Sequence, residues 1–317
     1  MNKLYIIGNG FDLHHNLKTD YDSFGKFLNE EYPDLYKKLL HYFGFQDVTS
    51  NDSSGTLWSE FEAALSDLDS QEVIESLSDY IAFTGDPISD WGAFEIEMQN
   101  FVDEVTYKLF DAFYEFLLKI KYPKSINGRK ILLNKDALYL NFNYTNVLER
   151  YYGIPRGNIL YIHGCIENGD TPILGHGVTP ESLEIEEESP PKNATPEELE
   201  KWQEYINDNY NFSLELGKSE LMTYFSKTFK DTDTIIKESS SFFSELTEID
   251  EIIILGHSLS NVDLGYFKKV FSSVSDDTVW TVSYYYKDEM QSHINTLNNL
   301  GVKNSNIKLI KITDLNL

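Results

Sequence analysis

Six short apolar runs constrain the fold of this chain more than any other feature. Short runs that are rich in β-branched residues are typical of strands buried on both faces of a parallel sheet. Helix-period segments separate several of them, and this alternation predicts parallel strands joined by right-handed crossovers. The runs are Leu4–Ile7, Ala137–Leu140, Ile159–Ile162, Ile252–Leu255, Val279–Val282 and Ile307–Ile310.

Two long segments between these runs are predicted to be helical insertions. The first covers about residues 25–130, and its apolar residues recur three and four apart between Trp91 and Tyr122. The second is acidic and covers about residues 179–245, where Thr195-Pro196 is typical of a helix start. We therefore predict a single α/β domain over residues 1–317, Rossmann-like with a mostly parallel sheet and large helical insertions.

The charge and cysteine content exclude several classes of protein. The chain has 52 acidic and 26 basic residues and a formal net charge of −26. Such a field repels nucleic-acid backbones and anionic lipid, so we expect neither nucleic acid as the primary partner nor a membrane. Cys165 is the only cysteine, which excludes an intrachain disulfide and fits a reducing compartment. No apolar stretch has the length of a signal peptide core or a membrane span, and we predict a cytoplasmic protein.

The first apolar run ends in a glycine-rich turn, Gly8-Asn9-Gly10-Phe11-Asp12. A strand, a glycine turn and a helix together form a setting in which backbone N–H groups bind phosphate. This segment is therefore a candidate nucleotide-binding turn. Leu13 stands where the complete dinucleotide fingerprint has a third glycine, so a tight turn without a ligand is the alternative.

Three further polar clusters follow apolar runs, and the carboxyl ends of parallel strands should bring them to the same edge of the sheet. His163 is the best candidate general base, because an imidazole titrates near neutral pH. His176, between Gly175 and Gly177, either lines the same site or occupies an ordinary turn. The three clusters are Asn141-Phe142-Asn143-Tyr144-Thr145, His163-Gly164, and Gly256-His257-Ser258-Leu259-Ser260 with Asp263.

Two other chemistries can be built from the same residues. Gly256-His257-Ser258-Leu259-Ser260 is similar to the nucleophile elbow of an α/β-hydrolase, with Ser258 as the nucleophile, but Ser260 replaces the second glycine. A metal-dependent phosphoesterase can use His163, His176 and His257, but paired metal-ligand spacings are missing at these strand ends. We therefore expect no metal.

The chain resembles the bacterial abortive infection protein family AbiH. The resemblance rests, in order, on YIIGNGFDLHHNLKTDY, WSEFE, NFNYT, YIHG, ILGHG and ILGHSLSNVDLGYF, and it spans almost the whole chain. The AbiH family is in turn similar to the sirtuin-type NAD-binding fold. This resemblance implies an anti-phage protein that binds NAD.

The sirtuin resemblance also implies roles for particular residues. Gly8 and Gly10 correspond to the glycine turn that holds the cofactor, Asn143 to the asparagine that orients ribose or water, and His163 to the base. Thr145 stands where sirtuins have Asp, and the four zinc-binding cysteines of the deacetylases are absent. Cleavage of NAD itself is therefore expected in preference to protein deacetylation.

These resemblances lead to one working hypothesis and one alternative. We expect an NAD glycohydrolase that releases nicotinamide and ADP-ribose, with Ser258 and Asp263 contacting the adenosine side or the ribose, and with Gly256, Thr145 and His176 also binding the nucleotide. The alternative is a sensor or scaffold that binds NAD or an ADP-ribose derivative without turnover. A phage-derived trigger and a homo-oligomer are the expected partners besides the nucleotide.

Overall fold

A computed structural model describes residues 2–49, 57–83, 91–183 and 190–315 of the protein. Across these residues the chain forms one six-stranded parallel sheet. All six predicted strands are confirmed to within two residues at each end. The strands are β1 (Lys3–Ile7), β2 (Leu138–Asn141), β3 (Ile159–Tyr161), β4 (Glu251–Leu255), β5 (Val279–Tyr284) and β6 (Ile307–Lys311).

The strand order is β3-β2-β1-β4-β5-β6, the doubly wound order of Rossmann-like folds. The order reverses between β1 and β4, which pair directly, with Leu4 beside Ile252 and Ile7 beside Leu255. In such sheets ligands bind outside the carboxyl ends of the strands at this reversal. The expected α/β class is thus confirmed, and the topology directs attention to the residues after Ile7 and Leu255.

The apolar runs are continuous because both faces of the sheet are covered. In β1, Leu4 and Ile6 face one core with Phe267, whereas Tyr5 and Ile7 face a second core with Phe11. All four β1 residues are buried. An alternating strand has only one buried face, so this double burial explains why no polar residue interrupts the run.

Helices fill the connections between the strands. Seven helices of the described chain lie between β1 and β2, four between β3 and β4, and one in each of the last two crossovers. The first group is α1 (Asn9–His14), α2 (Tyr21–Glu31), α3 (Pro33–Tyr42), α4 (Phe61–Ala64), α5 (Ser70–Ser76), α6 (Ala93–Asp103) and α7 (Leu109–Leu118). The others are α8 (Pro196–Asn209), α9 (Phe212–Lys227), α10 (Thr232–Glu238), α11 (Ser240–Ser244), α12 (Leu264–Ser273) and α13 (Glu289–Leu300).

The predicted helical insertions are confirmed in their helical character. The segment predicted from Trp91 to Tyr122 is α6 and α7, joined by a π-helical turn at Glu104–Lys108. Helix α8 begins as predicted, because the Thr195 hydroxyl accepts a hydrogen bond from the Glu198 N–H. Residues 184–189 of the second insertion lie outside the described residues.

The two insertions share one core although they lie far apart in sequence. Helix α6 packs against α9, and a Cβ on Gly217 of α9 would lie 2.2 Å from Cδ1 of Phe94 in α6. Glycine at this position therefore allows the two helices to approach closely. Phe24, Trp58 and Phe113 belong to the same buried cluster as Tyr224 of α9. The helices of the two insertions therefore pack around a single apolar cluster. Within the described ranges, no helix combines the length and the apolar character needed to cross a membrane.

Candidate functional site

The glycine turn after β1 packs directly against the turn after β4. The Gly8 N–H donates to the Leu255 carbonyl at 3.0 Å, and the Gly10 N–H donates to the Gly256 carbonyl at 2.8 Å. A Cβ on Gly8 would lie 2.6 Å from the Cα of His257, and one on Gly10 would lie 2.8 Å from the Cα of Gly256. The glycines are therefore required for two backbone segments to approach each other at the point where the sheet order reverses.

This geometry changes how the turn can bind a nucleotide. The sequence predicts that the turn Gly8–Gly10 and the start of the following helix bind a phosphate, but the N–H groups of Gly8 and Gly10 already donate within the protein. Helix α1 has only six residues, which gives it a weak dipole. Those two N–H groups are therefore not free to hold a phosphate, whereas Asn9 and Asp12 of the same turn line the adjacent cavity.

The Asn141–Thr145 segment after β2 holds the glycine turn in place. Nδ2 of Asn143 donates to the Gly8 carbonyl at 3.0 Å, and the Thr145 hydroxyl donates to Oδ2 of Asp12 at 2.6 Å. The side chain of Asn141 accepts from the Asn143 N–H and so sets the conformation of this segment. The predicted convergence of the first two strand ends is confirmed by these contacts.

His163 lies at the end of β3 with one ring nitrogen unpaired. Its side chain is buried and lines the cavity, and its ring packs edge-on against Phe142 with 5.2 Å between ring centres. Nε2 has no hydrogen-bond partner among the described residues, and Oδ1 of Asp263 lies 3.6 Å away. This is the geometry of an imidazole available to a ligand, with a carboxylate close enough to stabilise a positive charge on it.

Asp263, just before α12, is the centre of a buried polar network. Nζ of Lys230 lies 3.0 Å from Oδ1 of Asp263 and 2.5 Å from Oε2 of Glu62. Nε2 of His257 lies 3.5 Å from Oδ2 of Asp263, while Nδ1 of His257 accepts from the Leu259 N–H at 2.9 Å. The Tyr21 hydroxyl donates to Glu62 at 2.6 Å. The network thus joins β4, the first insertion and the second insertion.

Burial and charge determine the protonation states in the network. Burial lowers the pKa of Lys230, but Glu62 and Asp263 outweigh it and raise the pKa above its ordinary value. Burial opposes ionisation of Asp263, yet Lys230 and the hydrogen bond from His257 hold its pKa well below the ordinary range. Burial raises the pKa of Glu62 despite Lys230. Lys230 and Asp263 are therefore a charged pair at neutral pH.

The His163 imidazole and the Asp12 carboxyl, which each have one atom without a hydrogen-bond partner among the described residues, also have shifted pKa values. Burial and the nearby charge of Lys230 lower the pKa of His163 to about 3, so its imidazole is neutral at physiological pH. Burial raises the pKa of Asp12 to about 7, against the hydrogen bond from Thr145. Oδ1 of Asp12 has no hydrogen-bond partner among the described residues. The cavity therefore offers a neutral imidazole and a carboxyl group that titrates near neutrality.

A cavity of about 430 Å³ lies between the carboxyl ends of the strands and the helices of the first insertion. Its wall includes Gly8, Gly10, Thr145 and Gly256, together with the solvent-exposed Ser258. Among the described residues that line it there is neither Lys nor Arg. The lining carboxylates are Asp12, Asp20, Asp22, Glu60, Glu62, Asp263 and Glu289.

Two of the predicted binding residues are not part of the cavity wall. Phe11 is fully buried in the core and packs against His15, with 4.5 Å between ring centres. The His176 ring packs beside Phe225 and Phe229. Neither side chain is among those lining the cavity. Their assignment to nucleotide binding stays a prediction, and the structure places their side chains elsewhere.

The Gly175-His176-Gly177 segment instead positions Lys230. The His176 carbonyl accepts from the Lys230 N–H at 2.8 Å, and the His176 N–H donates to the Thr228 carbonyl at 2.9 Å. A Cβ on Gly175 would lie 2.2 Å from the Thr228 carbonyl oxygen. Glycine is thus needed for the second insertion to approach this segment and bring Lys230 into the site.

Sequence reasoning did not identify Lys230, and it used His257 only as a metal ligand in the alternative chemistry. Lys230 lies just after a long helix, where a lysine is normally exposed, and no spacing relates it to Glu62 or Asp263. The sequence did mark His257 as a candidate site residue, because it comes just after an apolar run, as His163 does. Only contacts between residues far apart in the chain identify the lysine.

The rival serine chemistry gains no support from the local backbone. In the turn after β4 the left-handed backbone conformations fall on Gly256 (φ +66°) and Leu259 (φ +60°). In a nucleophile elbow the strained backbone is that of the nucleophilic serine itself, which here would be Ser258.

The rival metal chemistry also lacks a site in the described part of the chain, where no three His, Cys, Asp or Glu side chains are grouped so that they could hold a metal ion.

The fold and the site define a class of protein: a Rossmann-order α/β domain with a buried polar site at the reversal of its strand order. The family model described as bacteriophage abortive infection AbiH matches residues 4–284. The chain therefore belongs to the AbiH family, as its motifs predicted, and its role lies in abortive infection against bacteriophage. No curated protein and no solved structure matches the chain, so the relation to sirtuins stays a prediction.

Proposed function

We propose that this abortive-infection protein cleaves the N-glycosidic bond of NAD and releases nicotinamide and ADP-ribose. The observation that carries the proposal is the unpaired Nε2 of His163, which is buried, faces the cavity and lies 3.6 Å from a carboxylate. A buried polar atom without a partner is costly in a folded protein unless a ligand or water satisfies it. The NAD molecule enters here as substrate.

The charge of the cavity suits this bond cleavage. Nicotinamide leaves as a neutral molecule from a cationic pyridinium, so the reaction needs no general acid at the leaving group. Positive charge develops on the ribose as the bond between C1′ and nitrogen breaks and its electron pair passes to the ring. Carboxylates aimed at a developing cation in a water-poor cavity stabilise such a transition state. Asp263, which is ionised, and the ionised form of Asp12 both line the cavity and supply this charge.

His163 then takes up the proton that hydrolysis releases. The water oxygen bonds to C1′, one water proton passes to Nε2 of His163, and the resulting imidazolium is stabilised by Asp263. Burial makes His163 a weak base, with a pKa lowered to about 3. A weak base is sufficient, because water that bonds to an oxocarbenium carbon becomes strongly acidic. The sum is NAD and water going to ADP-ribose, nicotinamide and one proton.

Asn143 orients the substrate or the water in this scheme. Its Nδ2 is committed to the Gly8 carbonyl at 3.0 Å, which fixes the amide plane. Oδ1 is then the atom left to accept a hydrogen bond from a ribose hydroxyl or a water. Preorganised positioning of this kind contributes to the rate without any change in the chemistry.

A sensor that binds the nucleotide without turnover is the second candidate. One observation favours it: Thr145 stands where the sirtuin pattern has Asp, and its hydroxyl is donated to Asp12 at 2.6 Å. The group at that position is therefore committed to a partner within the protein. Binding without product separates the sensor from the hydrolase.

The test is a chromatographic time course of NAD with the protein, with calorimetric binding on the same samples. Each sample is run alone and with extract of phage-infected cells, because a phage-derived trigger is expected. Wild type should release nicotinamide and ADP-ribose in equal amounts. His163→Ala should reduce the rate about 100-fold or more while NAD still binds, and Asn143→Ala should also reduce it.

His41→Ala serves as the control, since His41 is exposed at the end of α3. It should retain the wild-type rate. Binding without product in both conditions would support the sensor, and absence of binding in both would contradict both candidates.

A further inference from the structure

The wall of the cavity has a single sign of charge. Seven carboxylate side chains line it, and none of the described lining residues is Lys or Arg. Lys230 lies behind the wall with its charge shared between Glu62 and Asp263. Of the remaining carboxylates Asp12 is buried, whereas Asp22 and Glu60 are exposed; together they give the cavity a negative field.

The arrangement differs from an acidic surface cluster because one of its carboxylates is buried and unpaired. Asp12 lines the cavity and is 1% exposed; its Oδ2 accepts from Thr145, and its Oδ1 has no hydrogen-bond partner in the described part of the chain. The N–H groups of Gly8 and Gly10, which could otherwise hold a phosphate, donate to the backbone after β4. The site is built to receive a positive or neutral group and to repel a negative one.

From this distribution we infer that the cavity recognises the cationic nicotinamide riboside half of NAD. It should therefore bind nicotinamide riboside itself, which carries no phosphate group. The inference rests on the proposed function and states which half of NAD the cavity selects. A nicotinamide riboside carries one positive charge on the pyridinium ring. A nicotinic acid riboside has the same size and the same pyridinium, with a carboxylate in place of the ring amide. The carboxylates of the wall attract the first compound and repel the added charge of the second.

The experiment is isothermal titration of the full chain at low salt with nicotinamide riboside, nicotinic acid riboside and NAD. Nicotinamide riboside should bind at least about tenfold more tightly than nicotinic acid riboside, because one like-charge contact in such a site has this order of magnitude. The titrations are run at pH 8, above the pKa of about 7 of Asp12, so that Asp12→Asn and Glu60→Gln each remove one charge from the wall; each should reduce this ratio. Two variants are used so that the result does not depend on the folding of either one.

Asp277→Asn is the matched control, because Asp277 is exposed outside the cavity and pairs with Lys303. It should leave the ratio of the two affinities unchanged. Equal affinity for the two ribosides, tighter binding of nicotinic acid riboside, or an unchanged ratio in both wall variants would overturn the inference.

Turnover on the same samples separates this inference from the hydrolase proposal. If NAD is cleaved but nicotinamide riboside does not bind, the inference is wrong and the hydrolase stands. If nicotinamide riboside binds with the expected selectivity and neither compound is cleaved, alone or with extract of phage-infected cells, the inference stands and the hydrolase is wrong.

Discussion

Nζ of Lys230 lies 3.0 Å from Oδ1 of Asp263, and this contact joins the second helical insertion to the segment after β4. The Lys230 side chain is completely buried, and its second partner, Glu62, comes from the first insertion. One ammonium group thus connects the sheet with both insertions. The stability of the site and its charge pattern depend on the same three side chains.

Replacing Lys230 by Met should destabilise the protein strongly. The substitution leaves two buried carboxylates without their cation, and removal of one partner from a buried ion pair typically costs about 3–5 kcal/mol. Urea denaturation measures the change in the free energy of unfolding. Lys227→Met is the matched control, since Lys227 is partly exposed and its two carboxylate partners lie 3.6 Å away. The control should change the free energy by less than about 1 kcal/mol. Equal effects of the two variants would contradict the network.

The Asp12→Asn variant should gain stability relative to wild type as the pH rises from 4 to 7. Burial raises the pKa of Asp12 from 3.8 to about 7, so the folded state binds a proton in this range that the unfolded state has lost. Wild type therefore loses this contribution with rising pH, whereas Asn does not titrate. The difference between the two free energies of unfolding should grow by up to about 4 kcal/mol. A difference that stays constant between pH 4 and 7 would show that Asp12 titrates normally.

Replacing Thr145 by Val should destabilise the protein by about 1–3 kcal/mol at pH 8. The variant removes the hydroxyl that donates to Asp12 at 2.6 Å and leaves a buried carboxylate oxygen unsatisfied. Because this hydrogen bond lowers the pKa of Asp12, its loss should matter less at pH 5, where Asp12 is protonated. Thr145→Ser keeps the donor and serves as the control. Thermal denaturation of the three proteins at both pH values provides the comparison.

Gly8→Ala should destabilise the protein by about 1–3 kcal/mol or more, whether or not a nucleotide is bound. The new methyl group would lie 2.6 Å from the Cα of His257 and 2.7 Å from the Gly256 carbonyl oxygen, and backbone atoms there cannot move cheaply. Gly157→Ala is the control, because nothing lies within 4 Å of its Cβ position. It should be neutral within about 0.5 kcal/mol or slightly stabilising. A stable Gly8→Ala protein that only loses NAD binding would instead restore the phosphate-binding role of the turn.

The strands and the helical insertions were predictable because their patterns are local. Leu4–Ile7 and Ile252–Leu255 are buried on both faces, and burial of both faces produces an apolar run that is visible without the fold. The parallel arrangement then brings the residues after the strands to one edge of the sheet. This is why Asn143, His163 and Asp263 could be grouped in advance.

Only the tertiary structure shows why Gly8 and Gly10 are glycines and which residue is the buried cation of the site. A glycine that admits a phosphate and a glycine that admits another backbone satisfy the same steric requirement, so Gly8 and Gly10 look alike in either case. Lys230 lies 168 residues from Glu62 and 33 from Asp263. A lysine becomes a buried counter-ion only when the folded chain brings carboxylates around it, and no local pattern in the sequence contains that information.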